Sequence, residues 1–172
     1  MLEAYGPLAY ELTAQPDEAG VLQVLRRWFT RPEGRLGYGT ALIAESQEGR
    51  VGLLVRYAGD DAERLDHPLR GHLRALGHPG DFPTEGRPGE LYLDALAVAP
   101  AARGQGVGRQ LLAAAKAEAQ ARGLRGAALL VEPGNPAQRL YERAGFQVRG
   151  RLQLPGHTGA HLDLFWSAST SP

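Results

Sequence analysis

Residues 91–123 read LYLDALAVAPAARGQGVGRQLLAAAKAEAQARG, and this stretch decides the fold. Leu91–Val98 is an apolar run with the character of a strand, and Pro100 ends it. Gly108–Arg122 repeats apolar residues at helical spacing through Leu111, Leu112, Ala115 and Ala119, and Gly123 stands where a glycine closes a helix. Ala127–Val131 is a second apolar run. Strand, helix and strand in this order form a βαβ unit, so the two strands should lie parallel with a right-handed crossover.

The junction between the first strand and the helix is unusual. ARGQGVGRQ places no Ser, Thr, Asp or Asn where a helix cap belongs, so the first backbone N–H groups lack a side-chain acceptor. Gly104, Gly106 and Gly108 expose the backbone, and Arg103 and Arg109 stand at the positive end of the helix dipole, where acidic residues are normally favoured. An anion explains all three features, because amides, dipole and guanidinium groups together cradle a phosphate or pyrophosphate. The alternative is a glycine-rich turn with solvated arginines. A P-loop is excluded by the missing Lys-Ser/Thr pair, and a Rossmann turn by the G-x-G-x-G spacing.

Outward from this unit, Leu8–Thr13 is expected to be a short first strand. Asp17–Phe29 is expected to be an amphipathic helix, with Val21, Leu22, Leu25, Trp28 and Phe29 near helical spacing. Thr40–Ala44 and Val51–Tyr57, joined by SQEGR, have the pattern of a hairpin. Gly59–Gly89 is rich in Pro, Gly and His and is expected to be an insertion or lid, too polar for core, with a short helix within Pro68–Leu76. It is expected to form part of a substrate-pocket wall, where its acids Asp60, Asp61, Glu63 and Asp66 attract a cation. On the other side, Asn135-Pro136 opens a short helix that Gly145 closes, with Phe146 packing back. Gln147–Leu154 and His161–Trp166 form a final hairpin, and 167–172 a disordered tail. The expectation is one α/β domain over 1–166: a mixed, mostly antiparallel twisted sheet with a central parallel βαβ unit and flanking helices.

Composition narrows the function. A chain of 172 residues suits one domain, and its hydrophobic content of 43% is that of an ordinary globular protein. The formal net charge of +0 gives no global pull toward nucleic acid or a membrane. There is no cysteine, which excludes disulfides, thiolate metal sites and a thiol nucleophile. Serine occurs only at 46, 167, 169 and 171, none in a nucleophile elbow. With no signal-peptide pattern and no apolar run near ~20 residues, a soluble cytoplasmic protein is expected. His67, His72 and His78 lack helical i, i+4 spacing, and His157 and His161 are separated by a glycine-containing turn, so no metal is expected.

Arg103-Gly104-Gln105-Gly106-Val107-Gly108 resembles the R/Q-x-x-G-x-G/A motif of the GNAT superfamily of N-acetyltransferases. VEPGNPAQRLYERAGF resembles that family's second signature, N-x-x-A-x-x-L-Y-x-x-x-G-F. The likeness is strong over Leu91–Arg149, weaker over the N-terminal helix and hairpin, and absent over Gly59–Gly89. It implies an acetyl-CoA-dependent N-acetyltransferase acting on a primary amine by direct attack in a ternary complex. The acceptor could be a small amine or a protein amine, and a non-catalytic acyl-CoA-binding module is the alternative. It also implies that amides of Arg103–Gly108 hold the pyrophosphate of coenzyme A. Main-chain atoms of the Leu96-Ala97-Val98 stretch would hold the acetyl group and pantetheine arm, Asn135 and Tyr141 would line the far side, and Arg143 would reach a coenzyme phosphate. A homodimer is expected from the same likeness.

The chemistry needs a neutral amine, a stabilised oxyanion and a protonated leaving group. A backbone N–H near Leu96 suits the oxyanion. Tyr141 stands at the position of the family's usual general acid; its alternative is packing on the helix. Some family members carry a glutamate base at the position of Tyr92. Here Asp94, expected on one strand face with Tyr92 and Leu96, or Glu90 is the candidate, unless either only forms a surface salt bridge.

Overall fold

The computed structural model describes residues 2–154 and 159–168. His157 and the expected tail beyond Ala168 lie outside the described residues. Leu2–Tyr5 (α1), Leu8–Thr13 (α2) and Glu18–Phe29 (α3) come first. The strand expected at Leu8–Thr13 is therefore a helix. Its Ala9, Leu12 and Thr13 are buried together, which is helical spacing; six residues satisfy both templates, and packing on α3 decides. Asp17 caps α3 by accepting the N–H of Gly20 at 2.8 Å.

Ala41–Ser46 (β1) and Gly49–Ala58 (β2) form the expected hairpin. Then comes Ala62–Ala75 (α4), fourteen residues long, where the sequence suggested only a short helix at Pro68–Leu76. The stretch is not too polar for core: Ala62, Leu65, Leu69 and Leu73 are buried together with Asp66, while Glu63, Arg64, His67 and Arg74 are exposed. Leu91–Val98 (β3), Val107–Ala121 (α5) and Gly126–Val131 (β4) make the βαβ unit, with β3 and β4 parallel. Gln138–Arg143 (α6), Gln147–Gln153 (β5) and Ala160–Ser167 (β6) complete the chain.

The six strands form one mixed sheet in the order β1-β2-β3-β4-β6-β5, antiparallel except for β3 and β4. One face packs on α5: Leu54, Leu91, Leu93, Leu111, Leu112 and Leu129 share that core with Phe146. The other face packs on the N-terminal helices and α4 through Val55, Ala95, Val21, Leu25 and Leu69.

A β-bulge breaks the alternation of β3. Val55 pairs with Ala95 but Arg56 pairs with Leu93, so Asp94 is the extra residue. Tyr92 and Ala95 thus face the N-terminal helices and α4, while Leu93 and Leu96 face α5. The expectation that Tyr92, Asp94 and Leu96 share one face fails at this point, because the bulge inserts one residue into a period of two.

Candidate active site

Strands β3 and β4 pair only through Leu91–Ala127 and Tyr92–Ala128 and then part. A cavity of about 520 Å³ opens where they separate. Its walls come from β3 (Tyr92–Leu96), β4 (Leu129–Val131), the α1–α2 turn and α6. Gly108, in the first turn of α5, is buried beside this region: a Cβ there would lie 3.0 Å from Leu140 and 3.8 Å from Leu96, which itself lines the cavity.

The helix start has the geometry the sequence suggested. Gly104 (φ +76°) and Gly106 (φ +82°) adopt left-handed backbone, which glycine allows at no cost. No side chain caps α5. A Cβ at either glycine would meet nothing within 4 Å, so the ground above them is open. Arg109 is exposed there; Arg103 turns back to donate from Nε to the Val98 carbonyl at 3.1 Å, and Gln105 donates to the carbonyl of Ala101. Open amides, a helix dipole and a nearby guanidinium fit the pyrophosphate of a coenzyme.

Tyr141 borders the cavity, and burial pushes its hydroxyl pKa up. Its ring meets Phe146 edge-on at 6.3 Å. Asn135 also lines the cavity, and its Oδ1 accepts the Ala137 N–H at 2.9 Å, which fixes the entry to α6. Leu96 borders the cavity, whereas Ala97 and Val98 border an apolar groove between β3 and α3. Arg143 is exposed at the end of α6.

The two candidate bases part company. Asp94 lines the cavity with its side chain 3% exposed: Oδ1 accepts from Arg35 Nη2 at 2.5 Å, and Oδ2 accepts the Tyr5 hydroxyl. Glu90 lies outside the cavity lining. Arg149 grips it with two bonds of 2.7 and 2.8 Å, Arg125 adds a third contact, and hydrogen bonding to Glu90 is the main cause that raises the pKa of Arg149. That pair joins β3 to the β5–β6 hairpin, a structural task.

Three residues escaped the sequence reading. Tyr5, in a stretch with no periodicity, is delivered by α1. Arg35 is buried, 4% exposed, and pairs with Asp94, Asp66 and Glu85. The loop carrying it folds tightly: a Cβ at Gly37 would come within 2.6 Å of the Arg31 carbonyl oxygen. The glycines of RPEGRLGYG were the one available signal. Glu85 is the third. Its side chain, 15% exposed, borders the cavity, accepts the Tyr92 hydroxyl at 2.5 Å and lies 3.5 Å from Arg35 Nη2. The acids expected to face the acceptor are elsewhere. Asp60 accepts from the Gly89 N–H, Asp61 pairs with Arg64, Glu63 lies 3.9 Å from Arg70, and Asp66 is buried against Arg35.

Arg35 balances buried carboxylates from two elements. Arg35→Met should cost about 3–5 kcal/mol of stability at neutral pH, since it strands buried charge. The penalty should shrink as pH falls, because protonated carboxyls need no counter-charge. Urea titrations at two pH values check both statements; equal stability of the two proteins would show the pairs to be incidental.

A mixed sheet that parts beside an uncapped glycine helix start defines an acetyl-transfer scaffold, and the chain belongs to the Acetyltransferase (GNAT) family, which it matches over residues 25–146. It is 48% identical over 118 residues to Acetyltransferase Atu2258 of Agrobacterium fabrum, covering 68% of this chain and 73% of that one. A solved acetyltransferase structure, 29% identical, superposes with a TM-score of 0.71 over 95% of this chain and 86% of its own. An N-acetyltransferase from Staphylococcus aureus Mu50 shares the fold at 19% identity, with a TM-score of 0.73 over 92% and 89% of the two chains. The protein is an acetyltransferase of a family whose donor is typically acetyl-CoA. Among the described residues, no group of three or more His, Cys, Asp or Glu could hold a metal ion, and no helix is long and apolar enough to cross a membrane.

Proposed function

We propose that this enzyme moves the acetyl group of acetyl-CoA to a cationic primary amine by direct attack in a ternary complex. The observation that carries the reading is the uncapped, glycine-rich start of α5, open above Gly104 and Gly106, which follows directly on β3 where that strand parts from β4. Amides of Arg103–Gly108, with Arg109, would hold the pyrophosphate. The edge of β3 that leaves β4 would take the pantetheine arm and acetyl group. A backbone N–H near Leu96 is suited to the oxyanion. Across the cleft, Tyr141 is the donor for the departing thiolate, kept protonated by its burial.

The acceptor end of the cavity favours a cation. Its ionisable walls include Glu11, Glu85, Asp94 and Glu132, while the guanidinium of Arg35 is already shared among Asp66, Glu85 and Asp94. The test is calorimetric titration with acetyl-CoA, followed by mass-spectrometric detection of acetylated products from a panel of primary amines and peptides. Binding without transfer to any acceptor would instead make the protein a non-catalytic acyl-CoA-binding module.

A further inference from the structure

We propose that Glu85 is the catalytic base of this enzyme: its carboxylate takes a proton from the incoming ammonium and releases it to solvent. The proposal rests on the acceptor-site reading above. Both oxygens of Asp94 are engaged, one by Arg35 and one by Tyr5, and the side chain is nearly enclosed. Glu11 and Glu132 are exposed at the rim, the latter with a side chain 70% exposed. Glu85 alone is mostly buried, borders the cavity, and keeps an oxygen in reserve. Tyr92 and Arg35 both contact Oε2, whereas Oε1 has no partner among the described residues.

Glu85 also borders a second cavity, of about 230 Å³. Glu11 and Leu154 line both spaces. A base that must shed its proton after each turnover needs such an exit. Burial raises the pKa of the Glu85 carboxyl, Arg35 opposes the rise, and Asp94 adds to it. Asp66 of α4 contributes in the same direction, and Tyr92 donates its hydroxyl from β3. Tyr57 of β2, Glu11 of α2 and His78 and Asp81 of the loop after α4 are further titratable groups around it. A carboxylate with a raised pKa is better matched to proton abstraction than an ordinary one.

The ammonium gives one proton to Glu85, and the neutral nitrogen attacks the thioester carbonyl. The C–N bond forms and the C–S bond breaks. The thiolate takes the Tyr141 proton, and the second nitrogen proton restores Tyr141. Glu85 then releases its proton, so one proton leaves per amide formed.

The experiment compares wild type, Glu85→Gln and Glu85→Asp in kcat/KM from pH 5.5 to 10, with 1,4-diaminobutane, ethanolamine, tyramine and lysine amide as acceptors. Wild type should rise with pH and level off at the ionisation of the base, well below that of the amine. Glu85→Gln should lose roughly 10²–10⁴-fold at neutral pH. Its profile should keep rising toward the amine's own pKa, since only amine already neutral in solution reacts. Acetyl-CoA affinity and thermal stability should stay near wild type, and Glu85→Asp should restore part of the plateau. An unchanged rate in Glu85→Gln, or a lower rate with the wild-type profile, overturns the proposal. If wild type binds acetyl-CoA yet acetylates none of these amines, the acceptor-site reading falls first and the assignment of Glu85 with it.

Discussion

Gly106→Asp is expected to weaken acetyl-CoA binding at least ~100-fold, about 2.8 kcal/mol, while the fold survives. Gly106 is the cap position of α5 at φ +82°, and a side chain there meets no atom within 4 Å. Aspartate is therefore accommodated sterically. It places a negative charge where the pyrophosphate is proposed to sit, and its carboxylate can accept from the first N–H groups of α5, the donors the coenzyme would use. The left-handed backbone costs about 1–2 kcal/mol, and the new cap returns about 1, so the melting temperature should move little. Gly106→Ala shares the backbone strain without the charge and should keep most of the affinity. Calorimetry on the three proteins at one salt concentration, beside thermal melts, makes the comparison. Undiminished affinity in the aspartate variant would place the coenzyme elsewhere.

Tyr141→Phe is expected to lower kcat by roughly 10²–10⁴-fold with little change in acetyl-CoA affinity. A coenzyme thiolate should resemble a cysteine thiolate, with a conjugate acid near a pKa of about 8.5. Burial lifts the Tyr141 hydroxyl above its ordinary value, so it stays protonated at working pH but gives up the proton only as charge builds on sulfur. Phenylalanine keeps the edge-on contact with Phe146 and removes only the proton. Single-turnover rates that isolate the chemical step are the measurement. An unchanged rate there would leave Tyr141 as a packing residue on α6.

Local chemistry made the central unit legible. An apolar run, an uncapped glycine turn, a periodic helix and a closing glycine each act within a few residues, and the βαβ unit of β3, α5 and β4 stands as read. Gly145 at φ +87° closes α6 for the same reason. At Leu8–Thr13 this logic ran out, because so short a segment takes its conformation from what it packs against, here α3. Gly59–Gly89 misled by composition: charge and proline concealed the apolar stripe of Ala62, Leu65, Leu69 and Leu73.

The family scaffold, the open start of α5 and the place of Tyr141 were legible along the chain, since each depends on neighbours close in it. The acceptor side took shape only through contacts between distant parts of the chain. The bulge at Asp94 is a matter of register between β2 and β3, which no single strand encodes. The buried knot of Tyr5, Arg35, Glu85 and Asp94 unites residues as much as 89 positions apart. Long-range charge pairs leave no spacing in a chain to be read; they exist only once the backbone has carried the groups out of water and obliged them to find one another.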